Sequence, residues 1–182
     1  TFLTLCEEAL ERIAEACRRV TAIVGSPVLT ERGAVSAAAV LRNGCVDAIV
    51  EKQYVTARRE MGFVGEGEGY KTINICGRNV AIMVGNDLAH LSEIDSKIDF
   101  VINVNSRRYG KGLMSRRLET MRRLSYTQGC SIAIINQVGG SGDIVYDGTS
   151  GIVNSEGKLL MLLKSFEEDL QIFDTKAENT PI

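Results

Sequence analysis

Apolar residues near the start of the chain recur at helical spacing: Phe2, Leu5, Cys6, Ala9, Leu10, Ile13, Ala16, Cys17 and Val20. Glu7, Glu8, Glu11, Arg12 and Glu15 take the other face. That stripe predicts a long amphipathic helix. The next apolar run, residues 21–24, is short and rich in β-branched residues, and Gly25 and Pro27 close it, so it reads as a buried strand. Residues 35–41 and 46–50 flank Asn43-Gly44, a pair that supplies the positive φ angles of a tight hairpin turn. A second hairpin is predicted from residues 71–76 and 80–84 around Gly77-Arg78-Asn79. Between the hairpins, residues 58–69 read as a loop rich in glycine and glutamate.

Residues 100–104 and 131–136 read as buried strands. The segment 111–127 between them reads as a helix, with Leu113, Met114, Leu118, Met121, Leu124 and Ser125 on one side. Short strands follow at 143–146, 151–154, 158–163 and 170–173. Ser155-Glu156-Gly157 and the acidic run Glu167-Glu168-Asp169 separate the last of them. This order predicts an α/β protein with a mixed sheet covered by helices. A length of 182 residues suits one domain, taken as residues 1–174, with a polar tail over 175–182.

Charge and cysteine usage narrow the function classes. Twenty-one basic and 23 acidic residues give a net charge of -2, so no whole-chain field draws in nucleic acid or an anionic membrane. Arg107, Arg108, Lys111, Arg116, Arg117, Arg122 and Arg123 do cluster; they read as a solvated helix face with its preceding loop, or else as a surface for an anionic partner. No apolar run approaches the ~18 residues of a membrane span, and the first residues carry no signal-peptide pattern. Cys6, Cys17, Cys45, Cys76 and Cys130 are odd in number and lack CxxC pairing, which predicts reduced thiols in a cytoplasmic protein rather than disulfides or a zinc site. His90, the one histidine, cannot build a metal cluster or a Ser-His-Asp triad with them.

Two glycine-rich stretches carry little. Gly65-Glu66-Gly67-Glu68-Gly69 holds two glutamates that would repel phosphate. Val138-Gly139-Gly140-Ser141-Gly142-Asp143 follows a predicted strand, but no helix follows it to aim its amides at an anion.

Three stretches bear a more specific pattern. The first is Asn136-Gln137-Val138-Gly139-Gly140 followed by Asp143-Ile144-Val145-Tyr146-Asp147-Gly148-Thr149-Ser150. Downstream come Glu156-Gly157-Lys158-Leu159-Leu160 and Phe166-Glu167-Glu168-Asp169-Leu170. Upstream, Ile23-Val24-Gly25-Ser26-Pro27 and Ala37-Ala38-Ala39-Val40-Leu41 precede Glu51-Lys52-Gln53-Tyr54. In order and spacing, these resemble the carbon–nitrogen hydrolase (nitrilase) superfamily, and within it the glutamine-hydrolysing domain of glutamine-dependent NAD synthetases. The resemblance covers nearly the whole chain. It implies an α-β-β-α sandwich, often doubled across a dimer interface, that starts here after the family's first strand–helix–strand unit. It also implies a Glu-Lys-Cys triad. A thiolate attacks the glutamine amide, a glutamate shuttles the proton, and a lysine ammonium steadies the oxyanion.

Carried over by position, Lys52 matches the family's lysine, although Val55-Thr56 stand where the family has a leucine-proline step. Glu60 falls near its supporting glutamate. The family pattern isoleucine-cysteine-glutamate-aspartate-leucine aligns with Val84-Gly85-Asn86-Asp87-Leu88, so Gly85 stands at the nucleophile's place and Asn86 at the glutamate's. The base glutamate would belong to the unit preceding Thr1. Ser36 replaces a usual asparagine, and Ser106-Arg107-Arg108-Tyr109 replaces a stretch of small residues and proline. Cys45, Cys76 and Cys130 do not fit as relocated nucleophiles. The resemblance therefore implies a catalytically dead amidase-like domain that packs on a synthetase domain or subunit, forms a homo-oligomer and needs no cofactor of its own, ATP belonging to the synthetase domain. Two other readings stay open: a variant copy of an active synthetase, and an interaction module whose Arg107, Arg108 and Lys111 bind an anion.

Overall fold

Asn43 and Gly44, with φ of 57° and 84°, turn the chain between two strands as their sequence dictates. The computed structural model describes residues 1–55, 69–70 and 72–175. Contacts divide the chain into two compact units, Thr1–Lys71 with Ile82–His90, and Thr72–Ala81 with Leu91–Ile182.

The first unit opens with helix α1 (Phe2–Ala16), capped by the Thr1 hydroxyl, which accepts the Thr4 N–H at 3.3 Å. Strands β1 (Ala22–Thr30), β2 (Gly33–Arg42) and β3 (Cys45–Glu51) form an antiparallel sheet in that order. Leu10, Ala14 and Cys17 of the helical end pack on Ala39 and Leu41, with Ala22, Val24 and Val28 beside them. Burying one such leucine stabilises by about 1.5–3 kcal/mol. The predicted apolar stripe is only partly used: Phe2, Leu5 and Ile13 are exposed, and the helix stops before Val20. The strand expected to close at Gly25 instead runs on to Thr30, pairing Pro27 with Ser36. Proline is tolerated there because β1 is an edge strand, where a missing N–H need not break the ladder. Ala37 to Leu41 of β2 are buried on both faces, which is why that run shows no alternation.

The second unit holds most of a six-stranded mixed sheet of order β11-β10-β7-β6-β5-β4. Its strands are β4 (Thr72–Ile75), β5 (Arg78–Val84), β6 (Phe100–Asn105), β7 (Ser131–Asn136), β10 (Gly151–Val153) and β11 (Leu159–Leu162). The end of β5 belongs to the first unit. Strands β6 and β7 are parallel, as a pair joined by a helical crossover must be, and α2 (Leu113–Gln128) makes that crossover and packs on β7 and β10.

Several expectations are corrected. The turn of the second hairpin is Cys76-Gly77, one residue early, held by the Asn74 side chain accepting the Gly77 N–H at 3.1 Å. The glycine run after Asn136, to which the sequence assigned no element, forms the first strand of a hairpin, β8 (Val138–Ser141) with β9 (Ile144–Asp147). No strand forms over 170–173; that segment finds no ladder partner, and Leu170 and Ile172 are exposed. Arg117 is no solvated charge: it is buried in α2 and bound to Asp147. Most of the loop expected over 58–69 lies outside the described residues. No helix among the described residues is long and apolar enough to cross a membrane.

Candidate functional site

Lys52 directly follows β3, and its backbone N–H extends the ladder by bonding the Ser36 carbonyl at 2.8 Å. Its side chain is buried, at 4% exposure. Strand β5 ends in the buried residues Ile82, Met83 and Val84, then turns at Gly85, whose φ is +59°. A Cβ built on Gly85 would lie 3.3 Å from Lys52 Nζ and 3.5 Å from its Cε. The two positions matched to the family's lysine and nucleophile thus face each other within the first unit. At Gly85, no side chain exists to meet the ammonium. Asn86 is exposed at the start of a 3-10 segment, Gly85–Glu93. Glu60 lies outside the described residues.

Asp87, which the sequence reading did not single out, fixes the relation between these two segments. Its buried carboxylate accepts the backbone N–H groups of Gln53 at 2.8 Å and Tyr54 at 3.1 Å. Gln53 in turn donates to the Glu51 carbonyl at 2.9 Å and accepts the Gly69 N–H at 3.1 Å. Tyr54 stacks on His90, ring centres 3.7 Å apart and planes 14° from parallel. The signal was present, since Asp87-Leu88 follow Gly85-Asn86 in the aligned stretch. The histidine serves as a stacking partner here.

Burial pushes the Asp87 carboxyl above its ordinary value, and the two N–H bonds and the nearby Lys52 and His90 pull it back only in part. A raised folded-state value means that ionising Asp87 costs stability as pH climbs through it. Wild-type chain should therefore lose stability relative to Asp87→Asn between the ordinary aspartate value near 3.8 and neutrality. Urea unfolding of both proteins across that range checks the sign; a difference that stays flat with pH would refute it.

The alternative nucleophiles are poorly placed. Cys130 heads β7, is buried, and its thiol is pushed up to about 11, so it stays protonated. Cys45 is exposed at the start of β3, and Cys76 is exposed in the turn between β4 and β5. Among the described residues no group of three His, Cys, Asp or Glu side chains could hold a metal ion.

In the second unit, the segment that carries Arg107 and Arg108 is tied to the β7 end and to the hairpin. The Asn136 side chain accepts the Arg107 N–H at 2.8 Å and donates to its carbonyl at 3.2 Å, while Tyr109 N–H reaches the Val145 carbonyl at 2.7 Å. Asn136 also bonds Asp147 and Gly148, so the Asn136 and Asp147 of the sequence motif meet in one buried network with Arg117. Arg107, Arg108 and Lys111 are exposed beside it.

No family model matches the chain. It is 27% identical to a glutamine-dependent NAD(+) synthetase of Xanthomonas campestris over 186 aligned residues, which span 97% of this chain and 34% of that protein. The solved glutamine-dependent NAD+ synthetase of Acinetobacter baumannii, in complex with adenosine diphosphate, superposes with a TM-score of 0.79 at 26% identity, covering 90% of this chain and 32% of that one. A carbon-nitrogen hydrolase of Helicobacter pylori shares the fold alone: TM-score 0.76, 16% identity, 91% of this chain and 66% of that one. The chain spans about a third of the length of the curated synthetases it matches. Over most of its length the chain is thus homologous to part of the glutamine-dependent NAD synthetases, and its fold is that of the nitrilase, or carbon–nitrogen hydrolase, superfamily.

Proposed function

We propose that this chain is the amidase-like portion of a NAD synthetase relative, that it does not hydrolyse glutamine as sequenced, and that it serves by packing against a synthetase domain or subunit. The observation that carries this reading is the pairing of a buried Lys52 ammonium with a glycine at the point where an attacking thiol would project. The lysine, its ladder bond and the Asp87 clamp are built, so the cradle is kept while its reactive atom is not. A glycine offers no atom to form an acyl-enzyme. The partner synthetase would then draw on free ammonia, bind ATP itself and work in the cytoplasm, a reducing compartment that suits the five free thiols.

The test is ammonia release from L-glutamine by the purified chain. Removing a covalent nucleophile typically costs ~10³-fold to 10⁶-fold in turnover. The expected rate is accordingly at the background of the uncatalysed reaction. Turnover within tenfold of an active amidase of this fold would overturn the reading.

A further inference from the structure

Strand β1 lies at the edge of its sheet, and the ladder fixes which of its backbone groups face outward. The Ser36 carbonyl accepts the Lys52 N–H, so Ser36 turns its backbone groups toward β3. Opposite residues of an antiparallel ladder exchange both hydrogen bonds or neither. Ser36 therefore exchanges none with Pro27, its partner across β1, and Pro27 faces away from the sheet. Ile23, Gly25 and Leu29, two or four residues away along an unbroken ladder, face the same way. Ile23 and Gly25 each offer an N–H and a carbonyl at this open edge. At Pro27 the donor is missing and the carbonyl accepts the Ser26 hydroxyl at 3.0 Å, so an added strand stops there. The pairing stretch is short, residues 23–25.

The chain also holds a strand-like segment that has no ladder. The backbone groups of Gln171, Ile172 and Phe173 meet no partner among the described residues. Leu170 and Ile172, at 89% and 92%, are the most exposed large apolar side chains described. Both ends of the segment are tied down. Before it, the Lys164 N–H bonds the Asp169 carboxylate at 3.1 Å; after it, Arg78 donates to the Thr175 carbonyl at 3.1 Å. A segment held at both ends loses little further freedom on pairing. Unpaired backbone carrying an exposed apolar side chain is what an open strand edge of the same length satisfies. Charge agrees with this match. Arg18 and Arg19 precede β1 and Glu168 precedes residue 171; all three are exposed and in no ion pair, and parallel pairing brings them together.

We infer that copies of this chain associate by strand addition, residues 171–173 of one copy pairing with the β1 edge of another at Ile23 and Gly25. Each copy carries both halves of the contact, so the association is head-to-tail and adds copies until a ring closes. It is independent of what residue 85 can or cannot do.

Light scattering of the whole chain after size exclusion, at rising concentration, tests this. The mass is expected to climb from the 19.8 kDa of one chain to at least twice that. Gly25→Pro removes only an outward N–H and leaves the β1–β2 bonds in place, as Pro27 already does. It should hold the protein at the mass of one chain with an unchanged circular dichroism spectrum. Should that variant not fold, Gly25→Lys, a charge on the same edge, is read with the same expectation. Ile172→Pro, in a segment that makes no backbone bonds of its own, should also hold the protein at one chain. The mass of one chain at every concentration overturns the inference, and so does a higher mass that survives substitution at either position.

Discussion

Asp147→Ala is expected to destabilise the chain by about 3–5 kcal/mol, because it strands a guanidinium that cannot lose its charge. Arg117 Nη2 donates to both Asp147 carboxylate oxygens, at 3.1 and 3.2 Å, and Nη1 donates to the Gly148 carbonyl at 3.1 Å. Both side chains are almost fully shielded, at 6% and 4% exposure. The same carboxylate accepts from Asn136, so the substitution also loosens the amide that holds the Arg107 backbone. Urea unfolding gives the number. The double variant Arg117→Met with Asp147→Leu is expected to recover most of the loss, since it removes both charges and fills the space with apolar groups. A single-variant cost under ~1 kcal/mol, the range of exposed ion pairs, would show that the pair does not hold this unit together.

That network also marks the limit of what the sequence discloses. Asn43-Gly44 was legible because a turn's chemistry is local, and the β6–α2–β7 crossover because strand and helix periods differ over a handful of residues. Arg117 and Asp147 stand 30 residues apart, and nothing in a run of arginines singles out the one that turns inward. The strand through Pro27 was cut short because a proline's effect depends on whether its N–H faces a neighbour, which is a property of the sheet. Conversely, residues 170–173 alternate like a strand yet pair with nothing, since a strand needs a partner as well as a pattern. For the site, Lys52 and Gly85, which the positional match paired, lie close together in space. Asp87 went unread because its role is to accept backbone N–H groups 33 and 34 residues away, a task any buried aspartate could take.

Gly85→Cys is the change expected to alter chemistry most. It should create a thiol that a glutamine-analogue electrophile captures, where the wild-type chain offers none at that turn. The new Cβ would stand 3.3 Å from Lys52 Nζ, tight enough that the lysine must give by a few tenths of an ångström. An ammonium at that range favours the thiolate, so the introduced thiol should ionise below the ordinary thiol range and react at pH values where Cys45 and Cys76 do not. The left-handed turn, free for glycine at φ +59°, costs a side-chain-bearing residue about 1–3 kcal/mol. The variant should therefore be both less stable and more reactive, two effects that separate cleanly by unfolding and by peptide mapping of the adduct. Lys52→Met added to it should remove the low-pH reactivity and leave only ordinary alkylation at high pH. If mapping finds adducts at Cys45 and Cys76 alone, or if the lysine substitution leaves the pH profile unmoved, then the side chain at residue 85 does not point at the Lys52 ammonium, and the proposed match of residue 85 to the nucleophile's place fails with it.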